Sequence, residues 1–271
     1  MSEKIGVIGF GNIARAIITP LLEKKILKPE QIYCLVRTKN SYENIKNHYK
    51  YKINIFHSNS ENIDFLWGCP IKILSVKPQQ FDDIKELNTE RTNQYQTIVS
   101  IIAGVSIKRL EQNFPNHSCV RVVTNIPIKI GKGVTGIAFS ESIDSKNKEF
   151  IRKIFECSSK IYEFGEDYLD IFLALTSSAP AIISLIVEAL SDGGLSGGLR
   201  KDLSEELVLE MMIGTILMIK NHEITTSDIK NMVTSPGGTT IAALRVLEKR
   251  SFRSALIESI IAASNRSKEF R

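Results

Sequence analysis

The stretch Lys4-Ile5-Gly6-Val7-Ile8-Gly9-Phe10-Gly11-Asn12-Ile13-Ala14-Arg15-Ala16-Ile17 decides how the rest of the chain reads. An apolar run that reads as a strand meets a Gly-x-Gly-x-x-Ala turn and then a helical pattern through Leu22. Gly9 permits the tight turn, Gly11 leaves room for a pyrophosphate to approach the backbone, and Ala14 lets helix and strand pack closely. The helix that follows presents unpaired N–H groups at its start, which attract phosphate. Phe10, Asn12 and Ile13 belong to the same turn. Such a turn is informative only after a strand and before a helix, and here it has both neighbours.

Working outward, short β-rich runs recur at Gln31 to Val36, Ile71 to Val76, Ile98 to Ile102 and Val120 to Thr124, then at Val134 to Phe139 and Lys160 to Phe164. Many are continuously apolar, as strands covered on both faces are. Their alternation with amphipathic stretches predicts a parallel α/β sheet with crossover helices. After Gly165 the periodicity turns helical, through Asp167 to Asp192, Asp202 to Asn221, Ser227 to Val233, Thr239 to Lys249 and Ser251 to Ser267. Leu207 to Ile219 is apolar nearly all round, so it must be buried in a core or against another subunit. The uncharged run Ile171 to Val187 contains Pro180 and falls short of the roughly 20 apolar residues of a membrane span, so it reads as a buried helix.

The end of the second strand bears on the cofactor. A site for NAD usually places Asp or Glu there for the ribose hydroxyls, whereas this chain reads Val36-Arg37-Thr38-Lys39. Arg37, with Thr38 or Lys39, suits a 2′-phosphate instead, because a guanidinium pairs with phosphate through two parallel hydrogen bonds. NADPH is therefore the expected nucleotide, with NADH as the other candidate; a solvated basic loop is the alternative reading. A second signal is Thr234-Ser235-Pro236-Gly237-Gly238-Thr239-Thr240-Ile241. Ser235 as N-cap and Pro236 as first helical residue would be ordinary capping. Two glycines in a first turn cost about 1 kcal/mol each relative to Ala, which implies close approach of a ligand to this backbone. Their N–H groups suit a carboxylate, and the Thr240 hydroxyl can meet a substrate nitrogen. An unusual capped turn without a ligand fits the same spacing.

Length and composition set the frame. The chain has 271 residues and a mass of 30.4 kDa, above the roughly 100 to 200 residues of one domain, so two domains are expected. Hydrophobic residues are 43% and charged residues 24%, with a mean hydropathy of −0.03, which excludes disorder as the main theme. Cys34, Cys69, Cys119 and Cys157 form no Cys-x-x-Cys pair, so a reducing, cytoplasmic compartment is expected. The start Met1-Ser-Glu-Lys-Ile-Gly6 lacks the features of an export signal. His48, His57, His117 and His222 have no ligand spacing, so no metal site is expected. The net charge of +5 is uneven: residues 1–164 hold 24 Lys and Arg against 16 Asp and Glu, while residues 165–271 hold 11 against 14. The excess lies in the half assigned to a polyanionic nucleotide, so nucleic acid is not needed to explain it.

These motifs together resemble the pyrroline-5-carboxylate reductase family. The resemblance rests on the Gly9 turn continued by Asn12-Ile-Ala-Arg-Ala-Ile17, on Ser75-Val-Lys-Pro-Gln79, Ala103-Gly104 and Thr124-Asn-Ile-Pro127, and on Val187-Glu-Ala-Leu-Ser-Asp-Gly-Gly194, Thr234 to Ile241 and Asn265-Arg-Ser-Lys-Glu269. It implies an α/β Rossmann-like nucleotide-binding domain over 1–164 followed by an all-α dimerisation domain over 165–271 that also binds substrate. It implies reduction of 1-pyrroline-5-carboxylate to L-proline by NAD(P)H in a homodimer or higher homo-oligomer, without nucleic acid or membrane partners. Ser75, Val76, Lys77 and Pro78 match positions beside the cofactor, Ala103 one near the nicotinamide, and Asn59 one near the adenosine ribose. Ser235, Gly237, Gly238, Thr239 and Thr240 match the substrate turn, with Thr240 as the proton-donating hydroxyl, and Glu166 matches an acidic residue near the substrate.

The chain departs from the family at Thr176-Ser177-Ser178-Ala179-Pro180-Ala181-Ile182, where members commonly read Ser-Gly-Ser-Gly-Pro-Ala-Tyr. That change keeps a second reading open, a non-catalytic NADP-binding regulator on the same scaffold. A β-hydroxyacid dehydrogenase would want a lysine deep in the helical half. The lysines there, Lys201, Lys220, Lys230, Lys249 and Lys268, all have polar or terminal settings.

Overall fold

A computed structural model describes residues 4–57, 63–87, 96–221 and 224–270. The chain forms two compact units, one of residues 1–177 with 263–271 and one of residues 178–262. In the first, eight strands make one sheet: β1 (Ile5–Ile8), β2 (Ile32–Val36), β3 (Asn54–His57), β4 (Ile71–Leu74), β5 (Gln96–Ser100), β6 (His117–Val123), β7 (Gly133–Phe139) and β8 (Ser159–Glu163). Their order is β3-β2-β1-β4-β5-β6-β7-β8. Adjacent strands run parallel except β6 and β7, which pair antiparallel with Val122 opposite Ile137. That reversal departs from the all-parallel expectation. Only the short stretch from Thr124 to Lys132 separates the two strands, and a parallel return needs a crossover of about a dozen residues or more. The strand β3 escaped the sequence reading because Asn54-Ile-Phe-His57 is half polar and only half-buried, as befits a sheet edge.

Helices cover both faces. On one side α1 (Asn12–Glu23), α2 (Lys39–His48) and α6 (Ser145–Glu156) bury Ile17, Leu21, Ile45, Ile151 and Phe155 against Ile5, Val7, Ile73 and Val120. On the other α3 (Asp64–Trp67), α4 (Phe81–Leu87) and α5 (Ile107–Asn113) bury Trp67, Phe81 and Leu110 against Ile8, Leu74 and Ile98. Each of these large apolar side chains contributes roughly 1.5–3 kcal/mol on full burial. One polar side chain is wholly buried on β4: Lys72 donates from Nζ to the Cys69 carbonyl at 2.9 Å and to Gln96 Oε1, 5.8 Å from the centre of the Trp67 ring.

The helical stretch expected from Asp167 to Asp192 is not one regular α-helix, and of Ile171 to Val187, expected as a buried helix, only Phe172 and Ala174 are buried. A 3-10 turn (Glu166–Tyr168) leads into α7 (Leu169–Leu173), a π-helical turn (Ala174–Ser178) and α8 (Ala179–Ser196). The reason lies in Pro180, which has no N–H to offer the Thr176 carbonyl four residues earlier. That carbonyl accepts from Asn125 Nδ2 at 3.2 Å instead, and the Ser177 hydroxyl donates to the Thr124 carbonyl at 3.0 Å.

The second unit comprises α8, α9 (Lys201–Asn221), α10 (Thr226–Val233), α11 (Thr239–Lys249) and most of α12 (Phe252–Lys268). Among the described residues from 178 to 262 not one apolar side chain is buried, and Leu185, Leu207, Met211 and Ile216 are more than half exposed. The helices read as apolar all round thus find no core within one chain. Glu166–Ser196 is, among the described residues, the one helical stretch long and apolar enough to cross a membrane, a test that core helices of soluble proteins also pass.

Candidate functional site

The cleft lies at the carboxyl ends of β2, β1 and β4, where the strand order changes direction, the position at which open α/β sheets bind ligands. Gly9 has φ +86°, donates its N–H to the Leu35 carbonyl at 2.9 Å, and a Cβ there would lie 2.5 Å from the Ser75 carbonyl oxygen. No other residue fits that turn. Gly11, the N-cap of α1, has φ −79° and nothing within 4 Å of where a Cβ would stand. Its backbone is allowed for any residue, so only the open space beside it calls for glycine. That space belongs to a cleft of about 390 Å³.

The structure brings Gly9, Phe10, Gly11, Arg37, Thr38, Ser75, Val76 and Lys77 together around this cleft. Phe10 is buried edge-on against Tyr49 at 5.0 Å between ring centres, which fixes the floor of the turn. Thr38 caps α2, accepting from the Ser41 N–H at 3.2 Å and donating to the Ser41 hydroxyl at 2.8 Å, so Arg37 sits at a helix start that favours anions. Lys77 is exposed and its backbone N–H donates to Gln80 Oε1 at 3.3 Å. Ser41, Gln80 and Asp83 also line the cleft and went unread in the sequence. Of these, Gln80 follows Lys77 by three residues in a Pro-led turn, a spacing that signals such a bond.

Other expected residues stand outside this cleft. Asn12 and Ile13 open α1, and Pro78 starts the 3-10 turn after Lys77. Ala103 is exposed just beyond β5, next to Gly104 at φ +75°. Glu166 is held within the first unit: its Oε1 accepts from the Ile107 N–H at 2.8 Å and pairs with Arg121 at 3.2 Å. Asn59 lies outside the described residues.

The second unit carries the other motif. Gly238 donates its N–H to the Ser235 carbonyl at 3.0 Å and Gly237 has φ +70°, so Ser235 to Gly238 is a turn of the type that demands glycine at its third position. This corrects the expected start of the helix. Gly238, not Ser235, is the N-cap, and α11 begins at Thr239. The glycines precede the helix, so the cost of glycine inside a helix does not arise. A Cβ on Gly238 would lie 2.5 Å from Ser235 Oγ, a contact that rotation of the hydroxyl relieves, and 3.2 Å from the Ser235 carbonyl oxygen, so packing favours the second glycine only weakly. No side chain caps α11, and its first N–H groups have no partner inside the helix. Thr240 is half-buried in that first turn while Ser235 and Thr239 are exposed.

A doubly wound sheet with an open glycine turn at its switch point, and a basic rather than acidic end to β2, defines a dinucleotide-binding protein suited to a phosphorylated ribose. Residues 4–104 match the model of the coenzyme F420-dependent NADP oxidoreductases, and residues 166–270 match that of pyrroline-5-carboxylate reductase dimerisation. A pyrroline-5-carboxylate reductase of Synechocystis sp. is 34% identical over 99% of this chain and 98% of its own length. Two solved structures are similar throughout. The pyrroline carboxylate reductase of Plasmodium falciparum with NADP bound has a TM-score of 0.85 and 27% identity, over 98% of this chain and 97% of that one. The pyrroline-5-carboxylate reductase of Coxiella burnetii has a TM-score of 0.87 and 28% identity, over 100% and 99%. The chain belongs to the pyrroline-5-carboxylate reductase family.

Proposed function

We propose that this protein reduces 1-pyrroline-5-carboxylate to L-proline with NADPH, the last step of proline synthesis, NADH being the alternative donor. The observation that carries the reading is that one chain holds both the open Gly11 cleft with Arg37 at its rim and the uncapped Thr239 start of α11 behind a double-glycine turn. The bound nucleotide supplies hydride, and the protein's own task is to orient two ligands and place one donor.

Gly9, Phe10, Gly11, Asn12 and Ile13 form the phosphate turn, Arg37 and Thr38 hold the 2′-phosphate, and Ser75 to Pro78 with Ala103 flank the rest of the nucleotide. Asn59 is proposed at the adenosine ribose. Ser235, Gly237, Gly238 and Thr239 form the turn that binds the substrate carboxylate, with the Ser235 and Thr239 hydroxyls and the Gly237 and Thr239 N–H groups as donors and Gly238, its N–H on the Ser235 carbonyl, shaping the turn; the Thr240 hydroxyl meets the ring nitrogen. Glu166, with its carboxylate already on Ile107 and Arg121, acts near the substrate through the backbone it holds. The functional division is 1–164 for nucleotide and 165–271 for dimerisation and substrate; the dimerisation match over 166–270 supports it. A homodimer or larger homo-oligomer accounts for the bare apolar helices, with no nucleic acid or membrane partner required. Four free thiols suit a cytoplasmic setting, and burial pushes Cys69 and Cys119 up to about 12, so both stay protonated there.

The test is steady-state NADPH oxidation with and without 1-pyrroline-5-carboxylate, with proline measured as product. Thr240→Ala should lower kcat about 100-fold while NADPH still binds. No turnover by the unaltered protein at saturating substrate would overturn the reading, and would favour a nucleotide-binding regulator.

A further inference from the structure

The turn that follows β5, residues 101–106, is held by groups far from it in sequence, all within the first unit. A Cβ on Gly104 would lie 2.7 Å from Phe270 Cβ and 2.8 Å from the Phe270 carbonyl oxygen, so backbone and residue 270 touch directly. Ile107, at the start of α5, donates its N–H to Glu166 Oε1 at 2.8 Å. Arg121 on β6 ties that carboxylate at 3.2 Å to Asp170 Oδ1 at 3.0 Å, and the Ser267 hydroxyl donates to the same Asp170 oxygen at 2.9 Å. Arg121 is 1% exposed and Asp170 0%. Apolar side chains of the same volume would fill this space with as much stability or more. What the ion pairs add is geometry: a planar guanidinium fixes two carboxylates at once, and one of them fixes a backbone N–H.

The turn so fixed has a defined place along the sheet. Arg37 ends β2 and the phosphate turn follows β1, so the dinucleotide's adenosine end lies over β2 and its pyrophosphate over β1. The remaining half must extend over β4 and then β5, each about 4.8 Å further along. Ala103, exposed at the end of β5, is there. Arg121, Asp170 and Ser267 do not line the cleft.

Resting on the reductase reading above, we propose that Ser267, Asp170 and Arg121 are positioning residues that hold the Ala103 turn against the reactive end of the nicotinamide nucleotide. The end of α12 thereby sets the geometry of hydride transfer without touching a ligand.

The test uses the full chain with Ser267→Ala, Ser267→Thr and Arg121→Lys. Its readouts are kcat, NADPH Kd by fluorescence, and amide hydrogen exchange in the peptide covering 101–110. Ser267→Ala should lower kcat about tenfold, since a small misplacement is costly in an orientation-limited step. NADPH Kd should stay within about twofold, because Arg37 and the phosphate turn hold the other end, and exchange at 101–110 should quicken. Ser267→Thr, which keeps the hydroxyl, should restore both. Arg121→Lys should follow Ser267→Ala, as an ammonium cannot bridge two carboxylates in the same plane. Unchanged kcat and exchange in Ser267→Ala would overturn the proposal, as would loss of kcat, NADPH affinity and melting temperature together. Absence of turnover in the unaltered protein would sink only the reductase reading. In that case quicker exchange at 101–110 with unchanged NADPH Kd would still support the link, and unchanged exchange would overturn it.

Discussion

Replacing Gly11 and Gly9 in turn by alanine separates what the phosphate turn needs for folding from what it needs for binding. At Gly11 the backbone is extended and no atom lies within 4 Å of the new methyl. The unfolded chain loses entropy, which stabilises by about 0.4–1 kcal/mol, and the N-cap preference for glycine over alanine offsets about that much. The melting temperature of Gly11→Ala should stay within a few degrees of the unaltered protein. The methyl would instead occupy the open side of the cleft where a pyrophosphate comes closest to the chain, so NADPH affinity should fall about tenfold or more, at least 1.4 kcal/mol. At Gly9 the order reverses. A left-handed backbone costs an alanine about 1–2 kcal/mol, and its Cβ would meet the Ser75 carbonyl at 2.5 Å, a backbone atom that cannot swing aside. Overpacking adds about 1–3 kcal/mol, so a total near 2–5 kcal/mol should lower the melting temperature by about 4–20 °C. Thermal unfolding and calorimetric titration with NADPH, run on both variants, read the two effects. Unchanged NADPH affinity in a folded Gly11→Ala would refute the placement of the pyrophosphate; an unchanged melting temperature in Gly9→Ala would refute the steric argument.

Arg37→Ala should weaken NADPH about 10- to 150-fold, the worth of charge-assisted hydrogen bonds of 1.5–3 kcal/mol, and leave NADH nearly unchanged; an equal loss for both nucleotides would remove the 2′-phosphate from Arg37. Lys72 supplies a pH test. Burial pushes its amine down from 10.5 to about 7, so between these values the unfolded chain holds a proton that the folded chain has released. Stability should therefore rise with pH across that window, by up to about 1.4 kcal/mol per unit from this group. Lys72→Met should remove that part of the slope and be the more stable of the two near pH 7, as urea midpoints at several pH values would show; identical slopes would refute it.

The strands were legible where burial on two faces writes an apolar run, as in Ile71 to Leu74, and illegible in β3, whose edge position tolerates Asn54 and His57. The turn from Gly9 to Gly11 is legible as a turn because its glycines act locally, each on its own dihedral or its own open side. In Ser235 to Thr240 the sequence points to the wrong cap, since a proline before two glycines satisfies both a capped helix and the turn that precedes one. Glu166 marks the limit of local reasoning. Its partner Ile107 is distant in sequence, and only the packed sheet shows that the carboxylate is already engaged. The break at Ala174 to Ser178 depends likewise on Asn125 taking up the carbonyl that Pro180 leaves.

The helices from 178 to 262 contain no buried apolar side chain of their own among the described residues. Their folding is consequently tied by mass action to the supply of a covering surface, and a chain whose stability comes from association melts at a temperature that climbs with its own concentration. Dilution should act on this half as a denaturant does, while the nucleotide half, with a core on both faces of its sheet, stays folded. A cell making too little of the protein would then lose the Ser235 turn before it lost the ability to bind nucleotide.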